Sequence, residues 1–183
     1  ADAAAKAKAA ADAKAKADAD AKAKAAAAAK GVFGSSAELK AAVKEWFADE
    51  ASAKAKYGAI SGWDTSQVDD LSELFRFKTT FNAQLNWDTS SVTSMLATFQ
   101  YSNFNQPLLW DTGQVKNLRG TFIGAKWFNQ PLAWDTSKVT EMERTFRKAD
   151  DFNAQIGGWD TSQVTNFNRI FYETALEGDA CSK

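Results

Sequence analysis

The residues of this chain with the means to do chemistry are carboxylates, and they recur in step. Asp64, Asp88, Asp111, Asp135 and Asp160 each stand between a tryptophan and a threonine. If successive units lie side by side at about 5 Å, these side chains form a row of like charges, which is destabilising unless something compensates. Two readings are open. Each carboxylate can accept amide N–H groups of the following Thr-Ser segment in an Asx-type turn. Alternatively the row holds Ca²⁺, or the lysines of a partner, although no glycine-rich calcium loop accompanies it. A pair of carboxylates working as acid and base needs one environment unlike the others, and repetition makes these five alike. The chain has no histidine, which removes His-based triads and His-ligated metals. A single cysteine, Cys181, leaves no internal disulfide and no CxxC pair. The expectation is a non-enzyme, with no catalytic residue, no cofactor-binding residue and no metal ligand.

The spacing of those aspartates belongs to a larger repeat. Trp63, Trp87, Trp110, Trp134 and Trp159 each open a Trp-Asp-Thr triplet, in steps of 24, 23, 24 and 25 residues. Val68, Val92, Val115, Val139 and Val164 keep the same step, as do Leu71, Met95, Leu118, Met142 and Phe167. Phe75, Phe99, Phe122, Phe146 and Phe171 form a further column, and Asn82, Asn105, Asn129 and Asn153, each after a phenylalanine, another. Val-x-x-(Leu/Met)-x-x-x-Phe is an i, i+3, i+7 stripe, read as a short helix N-capped by Ser66, Ser90, Ser137 or Ser162, and less well by Gly113. A Leu or Ile two or three residues before each Trp suggests a short strand with Trp and Thr on one face. One such unit cannot bury its apolar face alone, but stacked units can. The predicted fold class is therefore α/β: a leucine-rich-repeat-like solenoid of five strand–helix coils with a core of Trp and Phe columns. The Asn column is read as bonding the backbone of neighbouring coils. Pro107 and Pro131 fall in equivalent loops.

The remainder of the 183 residues frames this array. Residues 1–30 are 19 Ala, 7 Lys and 4 Asp, and each Asp has a Lys four residues on. That composition and order favour a single Ala-rich helix, with charge on all sides and no Leu, Phe or Trp to lie in a membrane interface. It is read either as a solvated spacer or as a thin rod held by a partner. Residues 31–59 form an N-terminal cap, an amphipathic helix of about 20 residues. A capping box at Ser35 and Glu38 starts it, Leu39, Val43, Trp46, Phe47, Ala53 and Tyr57 line its apolar face, and Gly58 ends it. Residues 60–176 make the five-repeat array and 177–183 a C-terminal tail. The fifth repeat lacks an amphipathic cap helix, so either Tyr172 to Leu176 suffices or that end docks on a partner.

The unit, F-N-Q-P-L followed by W-D-T-S-x-V-T-x-M-x-x-x-F, resembles the leucine-rich-like repeats of about 25 residues in BspA-like surface proteins and mycoplasma lipoproteins. Similar repeats are abundant in unicellular algae. The lead-in over residues 38–66 is similar to the cap of the algal sequences. This resemblance spans about residues 33–175. It implies binding of proteins or surface attachment, with no shared activity and no catalytic residues to carry over.

Partner contacts are expected where the repeat is broken. Trp127 stands where the other repeats have Thr80, Asn103 and Asp151. Phe77 and Tyr101 share a register with Gly124, Lys148 and Glu173. Tyr172 lies near the open end. These four are the candidate partner-binding residues, each with the plainer alternative of filling a local gap. The net charge of −1 argues against nucleic acid, and no apolar run is long enough to span a bilayer. The expected function is a scaffold or linker joining protein subunits of a larger assembly, by analogy alone an organellar light-harvesting complex. The alternative is an exported adhesion or ligand-binding module. The first residue is Ala1 rather than Met, which suggests a chain processed for a plastid or for export, or a trimmed one. The compartment stays open.

Overall fold

Left-handed backbone at two residues per repeat decides the local structure. The first is Glu73, Ala97, Gly120, Arg144 or Arg169, and the second, four residues on, is Phe77, Tyr101, Gly124, Lys148 or Glu173, all with φ between 53° and 62°. An α-helix cannot contain such residues every fourth position. The chain turns instead. In the first repeat the N–H groups of Leu74, Arg76 and Lys78 donate to the carbonyls of Leu71, Glu73 and Phe75, three residues back. The alternate N–H groups, of Leu71, Glu73, Phe75 and Phe77, donate to Ser94, Leu96, Thr98 and Gln100 of the next repeat. Half of the amides thus bond locally and half across. A helix would use all of them locally and a strand none, so the segment is neither.

These observations come from a computed structural model that describes residues 31–175. The Ala-rich helix read over 1–30, residue 176 of the array, and the tail with Cys181 lie outside the described residues. The α/β solenoid of five strand–helix coils is not what the chain forms. Among the described residues there are two short α-helices, one 3₁₀ turn at Ile60–Gly62, and no strand or sheet. Neighbouring repeats meet through single parallel bridges, Asp70 to Ser94, Ser94 to Asn117, Asn117 to Glu141 and Glu141 to Asn166. The serines expected to cap helices head none.

The repeats nevertheless stack through their rings. Phe75, Phe99, Phe122, Phe146 and Phe171 follow one another at centroid separations of 5.4–5.7 Å with nearly parallel planes. A second column, Phe81, Phe104, Phe128 and Phe152, runs beside it at 6.1–6.4 Å. Indoles stack in the pairs Trp63–Trp87, Trp87–Trp110 and Trp134–Trp159 at 6.1–6.3 Å. Val68, Val92, Val115 and Val139, with Leu71, Met95, Leu118 and Met142, complete the core. Ring pairs of this geometry add about 0.5–1.5 kcal/mol each beyond the burial of their area.

The lead-in forms two helices where one was expected, α1 (Ser36–Ala48) and α2 (Glu50–Tyr57). Asp49 breaks them apart: it is extended (φ −154°) and accepts from the Ser52 N–H as the N-cap of α2. At the start of α1 the Ser35 hydroxyl accepts from the Glu38 N–H, while the Glu38 carboxylate accepts from Gly34 rather than from Ser35. Leu39, Ala42, Val43 and Trp46 of α1 are buried. The Trp46 ring meets Trp63 edge-on, and Phe47 packs on Phe75 and Phe81, so α1 covers the first end of the ring columns.

Candidate interaction surface

The aspartate row is consumed by local turns. Each carboxylate accepts from the N–H two residues on: Asp64 from Ser66, Asp88 from Ser90, Asp111 from Gly113, Asp135 from Ser137 and Asp160 from Ser162, at 2.8–3.0 Å. The Ser90 hydroxyl and then its amide hold the Asp88 carboxyl below the usual carboxylate value. The Ser137 and Ser162 amides, helped by the hydroxyls, do the same at Asp135 and Asp160. Asp135 pushes Asp160 the other way, which is the mutual repulsion of the row. Among the described residues no three Asp, Glu or Cys side chains converge on a metal position.

Depressed folded-state values carry a definite pH sign. The stability they contribute is present above the unfolded-state value, near pH 4, and is lost as pH falls through the lower folded values. Asparagine at Asp88, Asp135 and Asp160 keeps the turn acceptor and removes the titration. The triple Asp→Asn chain is expected to remain folded at neutral pH and to show a flatter loss of stability below pH 4. Tryptophan fluorescence during acid titration measures this; an acid midpoint identical to that of the parent chain would contradict it.

Other polar groups tie one repeat to the next. Backbone N–H groups of Asn105, Asn129 and Asn153 donate to the amide oxygens of Asn82, Asn105 and Asn129 in the preceding repeat. Indole N–H groups of Trp87, Trp110, Trp134 and Trp159 donate to the carbonyls of Ile60, Leu85, Leu108 and Leu132. Two threonine ladders do the same, the first from the Trp-Asp-Thr triplets and the second from positions outside the named columns. Thr65, Thr89, Thr112 and Thr136 donate to the carbonyls of Asp88, Asp111, Asp135 and Asp160. Buried Thr98, Thr121 and Thr145 donate to Leu71, Met95 and Leu118. The Thr-Phe dipeptide at 98–99, 121–122 and 145–146 was the available signal.

The four candidate contact residues are all solvent-facing, and two of them touch. Phe77 (58% exposed) and Tyr101 (39%) stack at 5.3 Å with planes 4° apart. The Arg76 guanidinium lies 4.8 Å from the Phe77 ring centre. Tyr101 closes over Gly124, so that a side chain there would collide with its ring. Trp127, 54% exposed, follows Gly124 by three residues, in the turn closed by the Phe128 N–H on the Ala125 carbonyl. Tyr172 stands apart on the fifth repeat, half exposed, with the guanidinium groups of Arg147 and Arg169 at 5.6 and 5.9 Å from its ring centre. Of the columns named from the sequence, the Trp and Phe members of the first four repeats are buried, Trp159 and Phe171 of the fifth are half-buried, and Asn82, Asn105, Asn129 and Asn153 lie at or near the surface. Leu109, 90% exposed beside a shallow groove also lined by Asn86 and Pro107, is an apolar surface residue that the repeat pattern gave no reason to single out.

Among the described residues no helix is long and apolar enough to cross a membrane. No curated protein and no solved structure matches the chain. One family model does match, over residues 41–132 and again over 103–180, an overlap expected of a repeating unit that fits in more than one register. Together the two matches cover most of the chain, including all five Trp-Asp-Thr units. The chain with these stacked Trp-Asp-Thr turns belongs to the family described as "Mycoplasma protein of unknown function, DUF285".

Proposed function

We propose that this chain is a non-enzymatic protein-interaction module, a scaffold or linker subunit that holds other proteins in a larger assembly. The observation that carries the reading is the exposed Phe77–Tyr101 stack, together with the exposed Trp127 three residues after the glycine that Tyr101 covers. These are rings at registers where the other repeats hold glycine, charged or polar residues. Large aromatic side chains together with arginine are the types that dominate binding energy at protein interfaces. A rigid pair of rings loses little conformational entropy on binding, and the backbone beneath them is fixed by the Phe77 and Tyr101 N–H groups donating to Gln100 and Ile123 of the next repeats. Arg76 at one edge supplies a donor for a partner's carboxylate or carbonyl.

The test is a chain carrying Tyr101→Ser and Trp127→Ser, compared with its parent by gentle purification and mass spectrometry. The parent is expected to retain partner proteins in fixed stoichiometry. The double variant should lose them, with a melting temperature lowered by only a few degrees, because the Tyr101 stack on Phe77 is the packing given up. Equal retention by both chains would refute the assignment of this face. A marked drop in melting temperature would show that the rings serve the fold instead.

A further inference from the structure

The two ends of the stack are not alike. At the first, α1 lies across the ring columns, and Ser36 and Lys40 bond Asp69 and Asp70. At the other, the fifth repeat is bare: Trp159, Val164 and Phe171 are only half-buried and Phe167 is 45% exposed, whereas their counterparts in the inner repeats are at most 5% exposed. Apolar exposure alone would not say what covers this face. The hydrogen bonds do.

Every boundary between repeats uses the same backbone, indole and threonine bonds, and three of the four add an asparagine. At the last, the N–H groups of Met142, Arg144, Phe146 and Lys148 donate to the carbonyls of Asn166, Asn168, Ile170 and Tyr172 at 2.9–3.1 Å. The same four alternate donors recur at the three earlier boundaries. An indole N–H, an asparagine backbone N–H and a threonine hydroxyl add their bonds alongside. On the fifth repeat these groups are present without counterparts among the described residues. Among the described residues the N–H groups of Phe167, Arg169, Phe171 and Glu173 and the Thr161 hydroxyl meet no acceptor, the Asn153 amide oxygen meets no donor, and the Ile156 carbonyl meets no indole. Residues 176–183 contain no Trp to supply the indole.

We infer that this face is a docking surface for an uncapped Trp-Asp-Thr repeat carried by another polypeptide. Such a repeat presents carbonyls at four alternate positions, one indole N–H, one asparagine N–H and a column of rings, which together are the complement of the groups left open. A second copy of this chain does not fit. Its own first repeat is covered by α1, and two fifth-repeat faces brought together would set donors against donors. The surface is at the end of the stack, separate from the Phe77–Tyr101 flank, and the inference stands whether or not that flank binds anything.

The probe is a peptide with the sequence of residues 128–148, which contains the asparagine, the tryptophan and all four carbonyl positions of one repeat. It is used free against the intact chain, and also fused after residue 175, where tethering raises its effective concentration. The fusion is expected to melt several degrees higher, with slowed hydrogen exchange at the amides of 167, 169, 171 and 173. The free peptide should bind saturably and protect the same amides. Its Trp134→Ala form should bind about tenfold more weakly, having lost one buried hydrogen bond and a ring contact. Tyr101→Ser in the intact chain should leave this binding unchanged. A fusion with no gain in melting temperature and unprotected amides overturns the inference. So does equal binding of the Trp134→Ala peptide, a dimer of the parent chain that Phe171→Ser dissociates, or tighter peptide binding on removal of residues 176–183. Docking of the fused repeat without any binding of the free one overturns the partner in trans and leaves the face to a continuation of the same chain.

Discussion

A Phe122→Ala chain is expected to lose about 3–5 kcal/mol of unfolding free energy, read from urea denaturation. Phe122 is fully buried, and its ring meets four others: Phe99 at 5.6 Å, Phe128 at 4.1 Å, Trp134 at 6.0 Å and Phe146 at 5.5 Å. Those neighbours are held by hydrogen bonds to the repeats on either side, so they cannot close the cavity. Phe171 occupies the same register in the fifth repeat, is half-buried, and meets only Phe146 among the ring contacts. Phe171→Ala should cost less than about 2 kcal/mol, because much of its side chain is already in water. Domains of this size are stable by only about 5–15 kcal/mol, so the alanine chain risks not folding. Phe122→Leu, at up to about 1.5 kcal/mol, keeps the comparison measurable. Equal costs at Phe122 and Phe171 would show that the ring column is not what holds the repeats together.

Gly120→Val ranks next. Gly120 has φ +62°, a conformation that costs an L-residue about 1–2 kcal/mol and is least tolerated by a β-branched side chain. A Cβ there would also lie 2.8 Å from the Ile123 Cδ1, which must move. The expected loss is about 2–4 kcal/mol, strain and crowding together. The reverse change at the same register should help. Arg169 takes φ 56° without being glycine, is exposed, and lies 5.9 Å from the Tyr172 ring, and Arg169→Gly relieves that strain against the added chain entropy of the unfolded state, for a net gain of up to about 1 kcal/mol. Thermal melts of the two variants moving in opposite directions would fit the turn geometry; a destabilised Arg169→Gly would count against it.

The same two registers explain what could be read from the sequence and what could not. The columns were legible because ring, valine and asparagine positions recur in step, and stacking is what gives such a period physical meaning. The path of the backbone within a repeat was not. Val68, Leu71 and Phe75 stand at spacings of 3 and 4, which a helix produces, but a run of tight turns reversing every four residues produces them as well. Gly120 and Gly124, four apart in the third repeat, were the clue to left-handed backbone. They were obscured because Glu73, Ala97, Arg144 and Arg169 take the first position and Phe77, Tyr101, Lys148 and Glu173 the second. The strand reading failed for a related reason: only alternate amides reach across, so the pairing never extends beyond a single bridge. In the lead-in, the apolar face of α1 was evident, whereas the break at Asp49 needed the Asp-x-x-Ser cap to be weighed against an uninterrupted stripe. The contact candidates were visible as departures from the repeat. Leu109 was not, since its register carries no fixed type.

The alternation of local and cross-repeat amides also sets which changes in length the fold tolerates. From each Trp to its Val is always five residues, and from Val to Phe always seven. The variation that makes the steps 23, 24 or 25 falls entirely between that Phe and the next Trp. One residue inserted within the turn segment would exchange the two sets of N–H groups, aiming inward those that should reach the neighbour and stranding the rest. Evolution can therefore lengthen the connecting loops residue by residue, but can alter the bonded frame only by duplicating or deleting whole units.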